Sequence, residues 1–283
     1  MILFKKSTDL RNYLDSQTKK FDTVGFIPTM GALHKGHLSL VSRSKDENQL
    51  TVCSIFVNPT QFNDPEDFKK YPLTIEQDIA MLDSVLCDIL FLPAIDEVYP
   101  SGLIKTQHYD LGKLENVLEG KFRPGHFQGV CMVIHRLLEM VQPTRLYLGQ
   151  KDYQQCKVIT KLLELICKET TIEIKIRPTL READGLAMSS RNMRLMDDER
   201  KKAILIYDTL SYITKNISTG NLEMLKEKSI NNLKENGFAV DYVEIADATT
   251  LEPVNSWNGS QKIISLIAAS IRNVRLIDNM SIN

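Results

Sequence analysis

Through the first 177 residues, short apolar runs alternate with segments whose apolar positions recur at helical spacing. The runs Met1–Phe4, Thr23–Ile27, Leu50–Val57, Asp88–Leu92, Arg145–Leu148 and Ile172–Ile176 are expected as strands. Several are near-continuous rather than alternating, as strands covered on both faces require. Between them, Thr8–Lys19, Gly36–Asn48, Thr74–Val85, Gly125–Val141 and Asp152–Lys168 carry an amphipathic helical pattern. This alternation predicts an α/β fold with a Rossmann-like, doubly wound parallel sheet. After Arg177-Pro178 the rhythm changes. A loop over Leu180–Asn192 precedes helical patterns near Asp198–Lys215 and Leu222–Glu235, then strand-like runs at Asp241–Ile245 and Lys262–Ala269. That order predicts a smaller α+β domain at 178–283, following a first domain at 1–177.

Ligands of doubly wound sheets bind outside the C-terminal strand ends. The second run leads into Pro28-Thr29-Met30-Gly31-Ala32-Leu33-His34-Lys35-Gly36-His37. A strand, a turn of small residues and a helix start suit a nucleotide phosphate, because a helix N-terminus offers unpaired N–H groups and a positive dipole end. Gly31 and Gly36 lack the Cβ that would hold a ligand off the backbone. His34 and His37 can face one side of the turn. A zinc reading is weaker, since H-E-x-x-H needs Glu where this chain has Lys35, and a cation suits an anion.

Other strand ends carry matching chemistry. Asn58 and Gln61 supply amides that could hold the hydroxyl and carboxylate groups of a polar substrate, although either alone is more often a loop-stabilising residue. Gly149-Gln150-Lys151-Asp152 opens a helix, with Asp152 as its expected N-cap, Lys151 as a phosphate partner and Gln155 about one turn on. Ser189, Ser190 and Arg191 offer donors suited to phosphate oxygens, or form an ordinary turn with capping serines. If they bind phosphate, the second domain is a lid. Arg123 could reach an anionic group, and His126 is as readily a helix-start contact as a ligand. His108, His135, Trp257 and the methionines read as structural.

Composition narrows the partners. The 283 residues are 43% hydrophobic and 25% charged, with a net charge of -1, so no basic footprint calls for nucleic acid. No apolar run approaches a membrane span, and Met1–Phe4 is too short for a signal peptide, so no membrane is expected. Five cysteines without a C-x-x-C read as reduced thiols, which predicts a cytoplasmic protein.

Six blocks occur in one order: P-T-M-G-A-L-H-K-G-H, F-V-N-P-T-Q-F, Tyr71-Pro72, R-P-G-H-F, G-Q-K-D-Y-Q-Q and R-E-A-D-G-L-A-M-S-S-R-N. They are followed by R-L-I-D-N at Arg275 to Asn279. In order and spacing, over nearly the whole chain, they resemble the pantothenate synthetase family. H-x-G-H alone is shared by the wider nucleotidyltransferase superfamily; the ordered set is far more specific. The resemblance implies ATP-dependent condensation of (R)-pantoate with β-alanine through pantoyl adenylate, releasing pyrophosphate and then AMP. It also implies ATP as substrate, magnesium as cofactor and a homodimer.

By resemblance, His34, His37, Lys151, Ser189 and Arg191 are catalytic, His37 as proton donor. ATP contacts would come from Met30, Gly31, Ala32, Leu33, His34, Lys35, Gly36 and His37, and from Gly149, Gln150, Lys151 and Asp152. Leu180, Met188, Ser189, Ser190 and Arg191 would complete them. Gln61 and Gln155, with Met30, Asn58 and Arg123, would hold pantoate; Gln61 would also border β-alanine, and Asp78 would bind magnesium. Two rivals remain. One is another H-x-G-H nucleotidyltransferase or acyl-adenylate-forming enzyme, which should lack the Gln61 and Gln155 pair. The other is a catalytically silent ATP-binding regulator, which could dispense with Lys151 or His37.

Overall fold

Every residue of Leu50–Ile55 is buried, and this strand lies inside a sheet with helices on both faces. The computed structural model describes residues 1–17, 22–103, 107–167 and 172–282. The ends of two expected helices, 18–19 and 168, fall outside them. In chain order the strands are β1 Ile2–Phe4, β2 Val24–Thr29, β3 Leu50–Ile55, β4 Ile89–Phe91, β5 Arg145–Gly149 and β6 Glu173–Arg177. Then come β7 Gly220–Asn221, β8 Phe238–Asp247, β9 Ser256–Trp257, β10 Ile263–Ile271 and β11 Val274–Ile282. The helices are α1 Ser7–Gln17, α2 Lys35–Glu47, α3 Pro65–Lys69, α4 Ile75–Ser84, α5 Ile95–Val98 and α6 Glu119–Phe122. They continue as α7 His126–Val141, α8 Tyr153–Ile166, α9 Asp197–Ala203, α10 Leu205–Asn216 and α11 Glu223–Glu235.

The first six strands form one sheet in the order β1-β4-β3-β2-β5-β6, with every pairing parallel. The expected doubly wound sheet is therefore present. Neighbouring residues of a strand serve opposite layers. Phe26, Val52, Phe91 and Leu146 pack with α1, α7 and α8, whereas Ile27, Cys53, Leu90 and Tyr147 join Leu40, Val41 and Leu82 of α2 and α4. Two apolar layers explain the near-continuous runs. Burial pushes the Cys53 thiol well above its usual range and that of Cys131 up to about 12, so both pack as small apolar groups.

The winding reverses between β2 and β5, the topological switch of the sheet. The β2–β3 ladder runs from Val24 to Thr29, while β2 meets β5 only at Gly25 and Phe26. Pro28 has no N–H with which to add a rung. The β2–β5 ladder stops well before the Met30–His37 loop.

The described residues divide into two compact units, one of 1–115, 123–150 and 155–178, the other of 116–122, 151–154 and the chain from Thr179. The second is built on an antiparallel sheet in the order β11-β10-β8, with Ile206, Leu210, Ile213 and Leu233 of α10 and α11 in its core. The helical pattern at Asp198–Lys215 is interrupted at Ile204 and becomes α9 and α10. β11 has no counterpart among the expected strands, because Asp278 and Asn279 break its apolar run.

Buried polar contacts explain the two early segments of this unit. Glu119 is gripped by Arg275 at 2.7 and 2.8 Å and by the Tyr242 hydroxyl at 2.8 Å. The Gln154 amide accepts from Glu119 N at 3.0 Å and donates to Val117 O at 2.9 Å. A buried charge needs such complete pairing.

Candidate active site

The loop after β2 holds two consecutive left-handed residues, Gly31 at φ 79° and Ala32 at φ 48°. Glycine takes that conformation freely, but alanine takes it at a cost of about 1–2 kcal/mol. Asp78 on α4 holds the turn. Its side chain is 1% exposed, and its oxygens accept from Ala32 N at 2.9 Å, Leu33 N at 2.7 Å and Thr74 Oγ1 at 3.1 Å. The Thr29 hydroxyl accepts from Gly31 N at 3.2 Å. Behind the loop, a cavity of about 190 Å³ with mostly carbon walls, among them Phe56, Pro72 and Ile75, borders Asp78.

The histidines then start the helix. His34 is the N-cap of α2, and its Nδ1 accepts from Gly36 N at 3.1 Å. The His37 Nδ1 accepts in turn from His34 N at 3.3 Å, and the ring centroids lie 4.0 Å apart. This corrects the expectation of bare N–H groups at the helix start: the imidazoles consume two of them as caps. The exchange has a chemical consequence. A ring that accepts through Nδ1 carries its hydrogen on Nε2 in the neutral form, so the backbone selects one tautomer for both rings.

The loop meets the next motif through Met30, whose Sδ receives Gln61 Nε2 at 3.1 Å. A thioether is a weak acceptor, so this contact orients the amide without saturating it. Asn58 is fully buried. It donates through Nδ2 to Gln61 Oε1 at 3.0 Å and to Gly129 O at 3.1 Å. Its Oδ1 accepts from Thr60 N at 3.3 Å, Thr60 Oγ1 at 3.0 Å and the Tyr99 hydroxyl at 2.8 Å. Burial pushes that phenol up to about 12, so it stays a donor. Both N–H bonds of Asn58 are therefore spent on the protein. It sets the position of Gln61 rather than offering these hydrogens to pantoate, the contact that the resemblance implies.

Three further residues support Gln61. His126, the first residue of α7, lies with Nδ1 2.8 Å from Gln61 O. The Arg123 guanidinium is 3.1 Å from its Nε2, which makes Nε2 the acceptor and Nδ1 the donor. Gly129 lets α7 approach, because a Cβ there would fall 2.3 Å from Thr60 O and 2.8 Å from Gln61 Cα. The sequence reading left His126 open between ligand and contact and passed over Gly129; a glycine inside the Gly125–Val141 helical pattern was the available signal. Gln155 is half-buried in the first turn of α8, and Gly149 and Gln150 end β5 and begin the next turn.

The remaining expected contacts lie in the second unit. Lys151 Nζ is 3.5 Å from Asp152 Oδ1. Ser189 caps a short 3-10 turn over Ser190–Arg194, its Oγ accepting from Arg191 N at 3.3 Å. Thus the capping alternative for Ser189 is realised, and a serine hydroxyl that accepts from backbone still has its own hydrogen to donate. Leu180 is exposed and Met188 is buried.

Magnesium fits poorly with a site made of protein groups alone. Asp78, expected as its ligand, has both oxygens turned to N–H and O–H donors. Among the described residues no group of three His, Cys, Asp or Glu could hold a metal ion.

Comparison with known proteins agrees with this geometry. The family model described as pantoate-beta-alanine ligase matches residues 2–281. A pantothenate synthetase of Cytophaga hutchinsonii is 44% identical, covering 100% of this chain and 99% of its own. One from Flavobacterium psychrophilum is 43% identical, with 100% of each chain covered. Among solved structures, pantothenate synthetase from Thermus thermophilus superposes with a TM-score of 0.89 at 38% identity, covering 99% of both chains. Pantoate-beta-alanine ligase from Francisella tularensis, complexed with beta-gamma ATP and beta-alanine, superposes with a TM-score of 0.82 at 37% identity, covering 99% of this chain and 97% of that one. With the capped H-x-G-H helix start and the Gln61 hub in place, the chain belongs to the pantoate–β-alanine ligase family.

Proposed function

We propose that this ligase makes pantothenate in two steps, with the residues above in defined parts. The reaction is ATP-dependent condensation of (R)-pantoate with β-alanine. First, a pantoate carboxylate oxygen bonds to the α-phosphorus of ATP while the bond to pyrophosphate breaks, and pyrophosphate leaves with the electron pair. Negative charge grows on the non-bridging oxygens and on the leaving group. Donors already aimed at that charge lower the barrier most. The Nε2–H groups of His34 and His37 suit this task, His37 giving its proton to the departing pyrophosphate. In the second step the β-alanine nitrogen bonds to the acyl carbon, the bond to AMP breaks, and the nitrogen loses a proton.

The contact between Met30 and Gln61 carries the reading, because it joins the phosphate loop to an amide suited to an acid. Gln61 and Gln155 would bind the pantoate hydroxyls and carboxylate, with Arg123 adding positive charge and Gln61 bordering β-alanine. A site built on such hydrogen bonds rejects acids lacking them by ~10⁴-fold or more. Met30–His37, Gly149, Gln150, Asp152, Leu180 and Met188 would make the ATP contacts. Lys151, Ser189, Ser190 and Arg191 would take the triphosphate, the second unit serving as a lid. Magnesium would arrive on the phosphates and keep most of its waters. We further propose a cytoplasmic homodimer. Among the described residues no disulfide joins the five cysteines, and no helix is long and apolar enough to cross a membrane.

Mixing ATP, (R)-pantoate and β-alanine is expected to release AMP only when all three are present. Exchange of labelled pyrophosphate into ATP should need pantoate but not β-alanine. AMP release without pantoate, or equal exchange with unrelated acids, would return the chain to the wider nucleotidyltransferase class. His37→Ala and Lys151→Ala are each expected to keep the fold and depress exchange by ~10²-fold, the loss typical of one transition-state donor. A purified variant exchanging at the wild-type rate would remove that residue from the mechanism.

A further inference from the structure

Two ATP-binding segments assigned to the second unit, far apart in sequence, converge on one pair of residues in its last strand. Asp278 and Asn279 sit in β11 and are 4% and 3% exposed, unusual burial for adjacent polar side chains. The Asn279 Nδ2 donates to the backbone carbonyl of Lys151 at 2.8 Å. Asp278 takes both terminal nitrogens of Arg181 at 2.5 and 3.0 Å, and Asn279 O accepts from Arg181 at 3.3 Å. The pair is locked internally, Asn279 N donating to Asp278 Oδ1 at 2.8 Å.

Arg181 forms the stem of the loop that carries Met188 to Arg191. It bridges Ala187 in antiparallel fashion, while Met188 N donates to Leu180 O at 3.0 Å and Glu182 N to Leu186 O at 2.8 Å. Its guanidinium also donates to Gly185 O at 3.1 Å and lies 4.9 Å from the Tyr207 ring centroid. A bidentate guanidinium–carboxylate pair is directional as well as strong. Asp278 therefore sets the direction of the stem, and Asn279 sets the height of Lys151.

We propose that Asp278 and Asn279 are positioning residues for adenylation, fixing the Lys151 backbone and the Ser189–Arg191 loop relative to one another. The proposal rests on the phosphate roles given above to Lys151 and that loop. Neither residue needs to touch ATP. A misplacement of about 1 Å in a catalytic group can cost ~10²-fold in rate, so one side-chain amide on a backbone carbonyl is enough to matter.

The test uses the full-length purified chain and separates the half-reactions. In Asn279→Ala, kcat/KM for ATP in pantoate-dependent pyrophosphate exchange is expected to fall about tenfold. Conversion of supplied pantoyl adenylate and β-alanine to pantothenate should stay within about twofold, because Lys151 is not needed once pyrophosphate has left. In a Lys151→Ala background the Asn279 change should cost less than it does in the wild type, since the ammonium carried by the positioned backbone is gone. Asn279→Asp keeps the shape but loses the donor; it should show the same exchange defect and carries the test if alanine prevents folding. Wild-type exchange in a folded Asn279 variant, equal losses in both half-reactions, or a fully additive double variant would each overturn the proposal. Wild-type exchange in Lys151→Ala alone would instead overturn the role of Lys151 on which it rests.

Discussion

Asp78→Ala is expected to lower pantoate-dependent pyrophosphate exchange about a hundredfold without abolishing the fold. The substitution removes the carboxylate that accepts from Ala32 N and Leu33 N in a buried turn, and a buried hydrogen bond lost in this way costs about 1–3 kcal/mol. The turn also contains a left-handed alanine, whose strain the bond to the Asp78 carboxylate helps to offset. Relaxation would move His34 and His37, and a shift near 1 Å is enough for the ~10²-fold loss. Asp78→Asn keeps one acceptor oxygen and should lose roughly tenfold less than alanine. Exchange rates at increasing magnesium separate anchor from ligand. A magnesium ligand would be rescued by excess metal, whereas a displaced loop would not. Full recovery in saturating magnesium would sink the anchor reading, and so would an alanine variant with normal exchange and unchanged thermal stability.

Gly129→Ala is expected to raise the KM for pantoate by about tenfold or more while leaving the KM for ATP nearly unchanged. Alanine is the better helix former by about 1 kcal/mol, so local propensity alone predicts a slightly more stable protein. The tertiary contact decides otherwise. The added methyl would lie 2.3 Å from Thr60 O and 2.8 Å from Gln61 Cα. Both are backbone atoms, which cannot rotate away. Either α7 shifts or the Pro59–Gln61 turn does, and overpacking of this kind costs about 1–3 kcal/mol. Moving the turn carries Gln61 away from the loop and breaks the bond between Asn58 and Gly129 O. Steady-state kinetics with each substrate varied, beside a thermal melt, would check it. A variant with higher stability and unchanged pantoate KM would show that the close approach is not felt.

The core strands were legible because both faces of the sheet are covered, so β3 reads as a near-continuous run in which only the small hydroxyl residues Thr51 and Ser54 interrupt the apolar positions. β11 escaped for the opposite reason. Its buried Asp278 and Asn279 interrupt the apolar pattern because they hold Arg181 and Lys151, not the core. The helical pattern at Asp198–Lys215 looked continuous because a break at Ile204 needs neither proline nor glycine. In the site, residue types and strand-end positions marked His34, His37 and Gln61 as candidates. They did not announce that the imidazoles cap the helix, that Asn58 serves Gln61, or that Asp78 serves the loop.

From its residues alone the chain declares a parallel sheet, a small-residue loop with two histidines at a strand end and an ordered set of family motifs, because hydrophobic period and motif spacing are local properties. Which amide has its hydrogen bonds used up by the protein is not local. Asn58 and Gln61 are the same kind of group three residues apart, yet Gly129 O and the Tyr99 hydroxyl use up the first, while the side chain of the second meets a thioether and the Asn58 amide. Partners from distant segments set the free valence of each polar atom, and that allocation exists only once the chain has folded.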